Sequence, residues 1–311
     1  MSRASVRRVD ALSLPITPRR KLLPPLCLAL SLFVITLAVP LSFGCQRGPA
    51  TVMAELTEAN RLVADLRVQF NKGADASNRA VMADTDEASV AFAHDAEQFS
   101  TAVERDVGAL SPLLKGLPAG ETQILEKFGR QFSDYRKVDS DILALAVENT
   151  NLKAQRLSFG PVKGAADRFK AVLELPAALP APERCRGEAL VARAEIAVRE
   201  LQTLQGPHIA SSDDAAMAAM EKEMTTLDGS VAEALTALSG LVEPAKLAAA
   251  RAAFDEFKSL GDQVVQLSRR NSNVRSLDLS LRVKPPLTAA CDDSLRALQL
   301  ALASEGPKAT R

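Results

Sequence analysis

Apolar residues return at heptad spacing in eight separate stretches of the chain, each flanked by polar positions. Leu56, Ala59, Val63, Leu66 and Phe70 form the first stripe. Phe92, Ala96, Phe99, Val103, Val107, Leu110, Leu114 and Leu117 form the second, and Phe128, Phe132, Tyr135, Ile142, Leu145 and Asn149 the third. Val162, Ala165, Phe169 and Val172 complete a set of four. A second set follows: Leu190, Ala194, Ala197, Leu201 and Leu204, then the run from Met217 through Met220, Met224, Leu227, Val231 and Leu238 to Leu241. Phe254, Phe257, Val264 and Leu267 give its third stripe, and Leu287, Cys291, Leu295 and Leu298 its fourth. Narrow stripes with this period are what antiparallel helices at small crossing angles bury. The pattern therefore predicts an all-α fold of two tandem antiparallel four-helix bundles.

The two sets are copies. Phe132, Tyr135, Arg136, Ile142, Leu145, Asn149, Asn151, Ala154, Leu157 and Ser158 are matched by Phe254, Phe257, Lys258, Val264, Leu267, Asn271, Asn273, Ser276, Leu279 and Ser280, every pair 122 residues apart. Val107, Gly116 and Leu117 match Val231, Gly240 and Leu241 at an offset of 124, so the intervening loop differs by two residues. An ungapped match at one offset implies one helical unit used twice.

Punctuation supports the same division. Thr85-Asp86-Glu87 and Ser212-Asp213-Asp214 have the form of helix N-caps followed by acids at the positive end of the dipole. Gly116, Pro118 and Gly120 separate the second and third helices, as Glu243-Pro244 does in the second copy. Asn149 and Asn271 suit the left-handed conformation that ends a helix, and Asn151 and Asn273 can cap the next. Gly160-Pro161 and Pro285-Pro286 should break or kink the fourth helices. Pro176, Pro180 and Pro182 mark a linker, placing one bundle at 46–178 and the other at 179–311.

Composition narrows the class further. Aromatic residues are only 4% of the chain, with no Trp, and Ala, Leu, Glu, Arg and Lys dominate, which favours helix over strand. The formal net charge of zero conceals an asymmetry. Residues 1–45 hold Arg3, Arg7, Arg8, Arg19, Arg20 and Lys21 against Asp10, a charge of +5, so the remainder carries −5. An acidic body without a basic stripe excludes nucleic acid as the expected partner. The basic segment leads into an apolar stretch, 22–44, whose uninterrupted part from Leu26 to Val39 has the length of a signal-peptide core. It ends in Leu41-Ser42-Phe43-Gly44-Cys45.

That ending resembles a bacterial lipoprotein signal, which implies Cys45 as the lipidated first residue of the mature chain. Ser42 stands where that family usually has Leu. An uncleaved anchor over 22–44 and a plainly cleaved signal are the alternatives. In each case the positive flank keeps the N-terminus in the cytoplasm, and everything after residue 45 is expected on the periplasmic side of the bacterial envelope. The third-helix pattern, Phe132-Ser133-Asp134-Tyr135-Arg136 through Leu145-Ala146 to Ala154-Gln155-Arg156-Leu157-Ser158 and again from Phe254 to Ser280, resembles the four-helix-bundle sensory module of methyl-accepting chemotaxis receptors. The resemblance covers nearly all of 52–303. It implies a membrane-tethered, sensor-like module that binds a small ligand or a separate membrane receptor or kinase, or that forms a homodimer. The chain departs from the family in lacking a second span and a cytoplasmic signalling hairpin after residue 303. A structural or adaptor lipoprotein with no small-molecule ligand is the alternative reading.

Candidate chemistry is sparse. Arg136 with Lys258, and Lys153 with Arg275, are basic in both copies and could receive a carboxylate; solvated helix faces carry such charges too. Cys185 and Cys291 could close a disulfide in an oxidising compartment, with burial of Cys291 as a small hydrophobe the alternative. His94 reads as a surface residue and His208 as a turn residue after Gly206-Pro207. Two scattered histidines cannot supply a di-iron site, Cys-x-x-Cys-His is absent, and the Met217, Met220, Met224 stripe reads as core. No metal or cofactor is expected. The sequence shows no Ser/His/Asp set or phosphate-binding loop, so no enzymatic activity is expected.

Overall fold

The structure, a computed structural model, describes residues 49–309. Cys27, Cys45 and the basic and apolar segments over 1–45 lie outside the described residues. Helix α1 spans Pro49–Met82, α2 Asp86–Leu114 and α3 Ala119–Glu148. A further helix follows in three pieces: α4, Thr150–Leu157, a π-helical turn at Ser158–Val162, and α5, Lys163–Val172. The second copy runs through α6, Ala181–Ala210, α7, Asp214–Ala237, and α8, Pro244–Arg270. It ends in α9, Ser272–Asp278, a second π turn at Leu279–Val283, and α10, Lys284–Ala309.

Local chemistry sets most of these boundaries. The Thr85 hydroxyl accepts the Ala88 N–H at 3.1 Å, and Asp213 Oδ1 accepts those of Ala215 and Ala216 at 2.8 and 3.3 Å, satisfying donors that a helix start leaves unpaired. Asn149 (φ 51°, ψ 38°) and Asn271 (φ 54°, ψ 37°) are left-handed, as expected, and each redirects the chain between two helices. The prolines of the fourth helices act differently from expectation. Pro161 sits inside the first π turn, and Pro285 and Pro286 are the second and third residues of α10 after the second, so each helix continues through a widened turn instead of breaking. A π turn has already displaced the regular hydrogen-bond register, so a missing N–H costs less there.

The cores overturn the expected division at 178/179. In one core, Leu66 and Phe70 of α1, Val103 and Leu110 of α2, and Phe128 and Phe132 of α3 pack with Cys291, Leu295, Leu298 and Leu302 of α10, from the second copy. In the other, Ala194 and Leu201 of α6, Val231 and Leu235 of α7, and Phe254 and Phe257 of α8 pack with Ala154, Val162, Ala165 and Phe169 from the first copy. Each fourth helix thus fills the core of the opposite copy. The second core is contiguous, drawn from 150–270, and the first joins 49–148 to the last helix. The Pro-rich stretch at 176–182 is consequently a connection within the second core, where Leu173 is buried and Leu175 packs. The reason is geometric: the left-handed residues at 149 and 271 carry the helix axis onward into the neighbouring core, and a heptad stripe buries equally well in either.

The cores keep the copies' equivalence in detail. Phe132 and Tyr135 stack at 6.0 Å and 14°, Phe254 and Phe257 at 6.2 Å and 17°.

Candidate functional site

The two crossovers lie side by side, and their bonds are reciprocal. Thr150 N–H donates to Ser272 Oγ at 3.1 Å and Ser272 N–H to Thr150 Oγ1 at 3.0 Å. Asn151 N–H donates to Asn273 Oδ1 and Asn273 N–H to Asn151 Oδ1, both at 3.1 Å. The Asn151 amide donates to Asn271 Oδ1 at 2.8 Å, and the Asn273 amide to Asn149 Oδ1 at 2.9 Å. Arg270 pairs with Glu148, its own equivalent. Contacts in which residue i meets the copy of j, and j the copy of i, define a local two-fold axis through the junction. Asn151 and Asn273 do cap helices, as the sequence suggested, but each caps the other's helix and not its own. Asn149, Asn151, Asn271 and Ser272 are buried, so these bonds satisfy groups that would be costly left bare, with the Asn149 amide nitrogen alone among these side chains unpaired.

The basic candidates are occupied by the protein's own acids. Arg136 meets Glu97 at 3.0 Å and Glu104 at 3.7 Å; Lys258 meets Asp228 at 2.6 Å and Asp262 at 3.8 Å. The Lys153 ammonium donates to the Glu148 carbonyl at 2.7 Å, capping the end of α3. Arg275 is exposed on the wall of a groove of about 600 Å³ beside Leu145, Val274, Leu277 and Leu281. The four do not converge on one site. Cys185 is exposed and Cys291 buried; both are free thiols on helices of different cores, so of the two alternatives the disulfide is not formed and Cys291 is buried as a small hydrophobe. Burial pushes the Cys291 thiol up to about 12.

Several buried polar groups escaped the sequence reading. His208 is fully buried in the last turn of α6, not a turn residue: Nδ1 lies 2.8 Å from Ser268 Oγ and Nε2 2.9 Å from Glu221 Oε1. Arg269 holds the Glu221 carboxyl below the usual carboxylate range, His208 adding to it. Ser–His–Glu is the composition of a hydrolase triad, yet Ser268 is itself fully buried and donates to the His208 carbonyl at 2.8 Å. It ties α6, α7 and α8 together. In the first core, Lys284 pairs with Asp139 at 2.9 Å, and Ser77 accepts from Lys284 at 2.7 Å while donating to Asp139 at 2.6 Å. Tyr135 packs beside them, its hydroxyl pushed up by burial and by the Asp139 charge. Removing one member of such a buried pair costs about 3–5 kcal/mol.

Beside each π turn the surface opens into a groove. One, of about 390 Å³, lies between α5 and α6 and is lined by Ser158, Phe159, Lys163, Ala166, Asp167, Lys170, Val198 and Arg199. The other, of about 430 Å³, lies between α10 and α1 and is lined by Asn71, Ser280, Lys284, Pro285, Thr288, Ala289 and Asp292. Ser158, Lys163, Ala166, Asp167 and Lys170 are the copies, at offset 122, of Ser280, Pro285, Thr288, Ala289 and Asp292. The serines hold the same place in both: Ser158 donates to Gln205 at 2.6 Å and Ser280 to Asn78 at 3.3 Å. Both π turns also expose a large apolar side chain at the same repeat position, Phe159 at 72% and Leu281 at 66%.

Compared with protein-family models, curated proteins and solved structures, the chain matches none. Among the described residues no cluster of three or more His, Cys, Asp and Glu could hold a metal ion, and no helix is long and apolar enough to cross a membrane.

Proposed function

We propose that the protein is a non-enzymatic, sensor-like binding module built as two four-helix bundles with exchanged fourth helices. Its N-terminal segment tethers it on the periplasmic side of the bacterial envelope. The observation that carries the reading is the groove beside each π turn, lined at the same repeat positions in both bundles but with different chemistry. One groove carries Lys163, Lys170 and Arg199 against Asp167 and Glu195, with Lys163 paired to Asp167 at 2.7 Å, whereas the other carries Asn71, Ser280, Thr288, Lys284 and Asp292. π turns inside α-helices often accompany binding sites. The chemoreceptor resemblance, which rests on the residues of the third helices, agrees with a binding role by analogy of fold.

A second reading is favoured by Phe159 and Leu281. Two exposed apolar side chains at one repeat position suit an adaptor that holds a protein surface, such as a membrane receptor or kinase, and takes no small ligand. A thermal-shift screen of the purified protein over amino acids, organic acids and aromatic acids separates the two. A ligand present at 100 times its dissociation constant stabilises by about 2.7 kcal/mol. Stabilisation that Lys170→Glu or Thr288→Glu abolishes supports groove binding. A flat screen, with partner capture lost in Phe159→Asp/Leu281→Asp, favours the adaptor.

A further inference from the structure

The chain contains two equivalent fourth helices and two equivalent cores, so hydrophobic patterning allows two chain paths. One is the crossed path observed. The other would return each fourth helix to its own copy. Both fourth helices carry a narrow apolar stripe, although α10 runs on past the place where α5 ends and buries Leu298 and Leu302, and the backbone bonds of the junction are reciprocal, so neither the apolar character of the stripes nor those backbone bonds tells the helices apart.

A buried charge does. Lys284 is 3% exposed and pairs with Asp139 at 2.9 Å. At offset 122, Val162 occupies the place of Lys284 and Gly261 the place of Asp139. The second core therefore carries no charge at these two positions, where the buried Gln205 amide lies beside Gly261. On the uncrossed path Lys284 would meet Gly261, Phe257 and Gln205, with no carboxylate at the place of Asp139 and the nearby Asp228 already paired with Lys258. Val162 would meanwhile leave Asp139 buried without a cation. Both consequences are strongly unfavourable, whereas the crossed path pairs the two charges with each other.

We propose that the Lys284–Asp139 pair assigns each fourth helix to its core and so selects the crossed chain path over the uncrossed one. The pair is then a specificity device, in which the alternative is penalised more than the native state is stabilised.

Disulfide trapping in the full-length protein, with the four native cysteines replaced, reads the path directly. Ser294 donates to Gln131 at 2.6 Å, so Gln131→Cys with Ser294→Cys reports the crossed path. Ala253 is the copy of Gln131, so Ala253→Cys with Ser294→Cys reports the uncrossed one. The parent should form only the 131–294 link. Adding Lys284→Val and Asp139→Gly, the residues the second core already uses, should raise the 253–294 link from undetectable to a yield comparable with 131–294. Exclusive retention of 131–294 in that variant overturns the proposal and leaves side-chain volume, Phe169 in one core and Cys291 in the other, as the discriminating feature. If the variant does not fold, the reversed pair decides. Asp139→Lys with Lys284→Asp should restore the exclusive 131–294 link that each single reversal loses; single reversals that keep it would equally overturn the assignment.

Discussion

Asn151 and Asn273 cap each other's helices: each side-chain oxygen accepts the other's backbone N–H at 3.1 Å. They are 122 residues apart and occupy the same position in the two copies. Loss of a capping side chain costs about 0.5–2 kcal/mol. Asn151→Ala and Asn273→Ala should therefore each destabilise the protein by about that amount, and the double variant should cost less than the sum, because each substitution already opens the shared ring of bonds. Urea denaturation of the three variants measures this. Strict additivity would mean that the two caps act independently.

The boundaries of independent folding should follow the cores and not the copies. A fragment covering 150–270 contains the whole second core and should be helical and melt cooperatively. Fragments 46–178 and 182–311 each lack the helix that completes their core. They should be poorly structured alone and regain a cooperative transition when mixed. Circular dichroism melts of the three fragments and the mixture test this, and cooperative melting of both half-chains alone would contradict it.

Phe132 and Phe254 fill equivalent places, stacked on Tyr135 and Phe257. Phe132→Ala and Phe254→Ala should each cost about 3–5 kcal/mol. An equilibrium cost under about 1 kcal/mol at either site would show that the stacking arrangement is not matched by equivalent packing.

The two body cysteines should behave oppositely. Cys185 is exposed and should react at once with a thiol reagent, whereas Cys291 should react only on unfolding. The Cys291 thiol rises from about 9 to about 12 on folding, so above pH 9 the unfolded chain ionises while the folded one does not. The unfolded state then binds fewer protons, and this contribution makes stability fall as pH rises from about 9 towards 12. Cys291→Ala should flatten that part of the pH–stability curve.

Cys45 can be tested apart from the folded body. Lipidation predicts a mature chain beginning at Cys45 with added acyl mass, and an uncleaved precursor when Cys45 is replaced by Ala. Each buried acyl CH₂ would add about 0.8 kcal/mol of membrane affinity. Intact-mass measurement of the membrane fraction checks it; an unmodified full-length chain would establish the single-span anchor instead.

The amino-acid sequence by itself determined the helices, their ends and their duplication. The stripes are local consequences of the helical period, Thr85 and Asp213 cap within a few residues of their own position, and Asn149 and Asn271 tolerate a left-handed backbone through their own side chains. What only the tertiary structure decided is which surfaces meet. A stripe such as Leu287, Cys291, Leu295 and Leu298 states that one face is buried but not against what, because hydrophobic burial is non-directional. For that reason the sequence division at 178/179 missed the exchange of fourth helices. Charges were misread on the same grounds: Arg136 and Lys258 looked available because Glu97 and Asp228 lie far away in sequence, and His208 looked like a turn because Ser268 and Glu221 reach it from other helices. Nothing near Lys284 in the sequence marks its partner: only the crossing of the last helix into the first core brings it to Asp139.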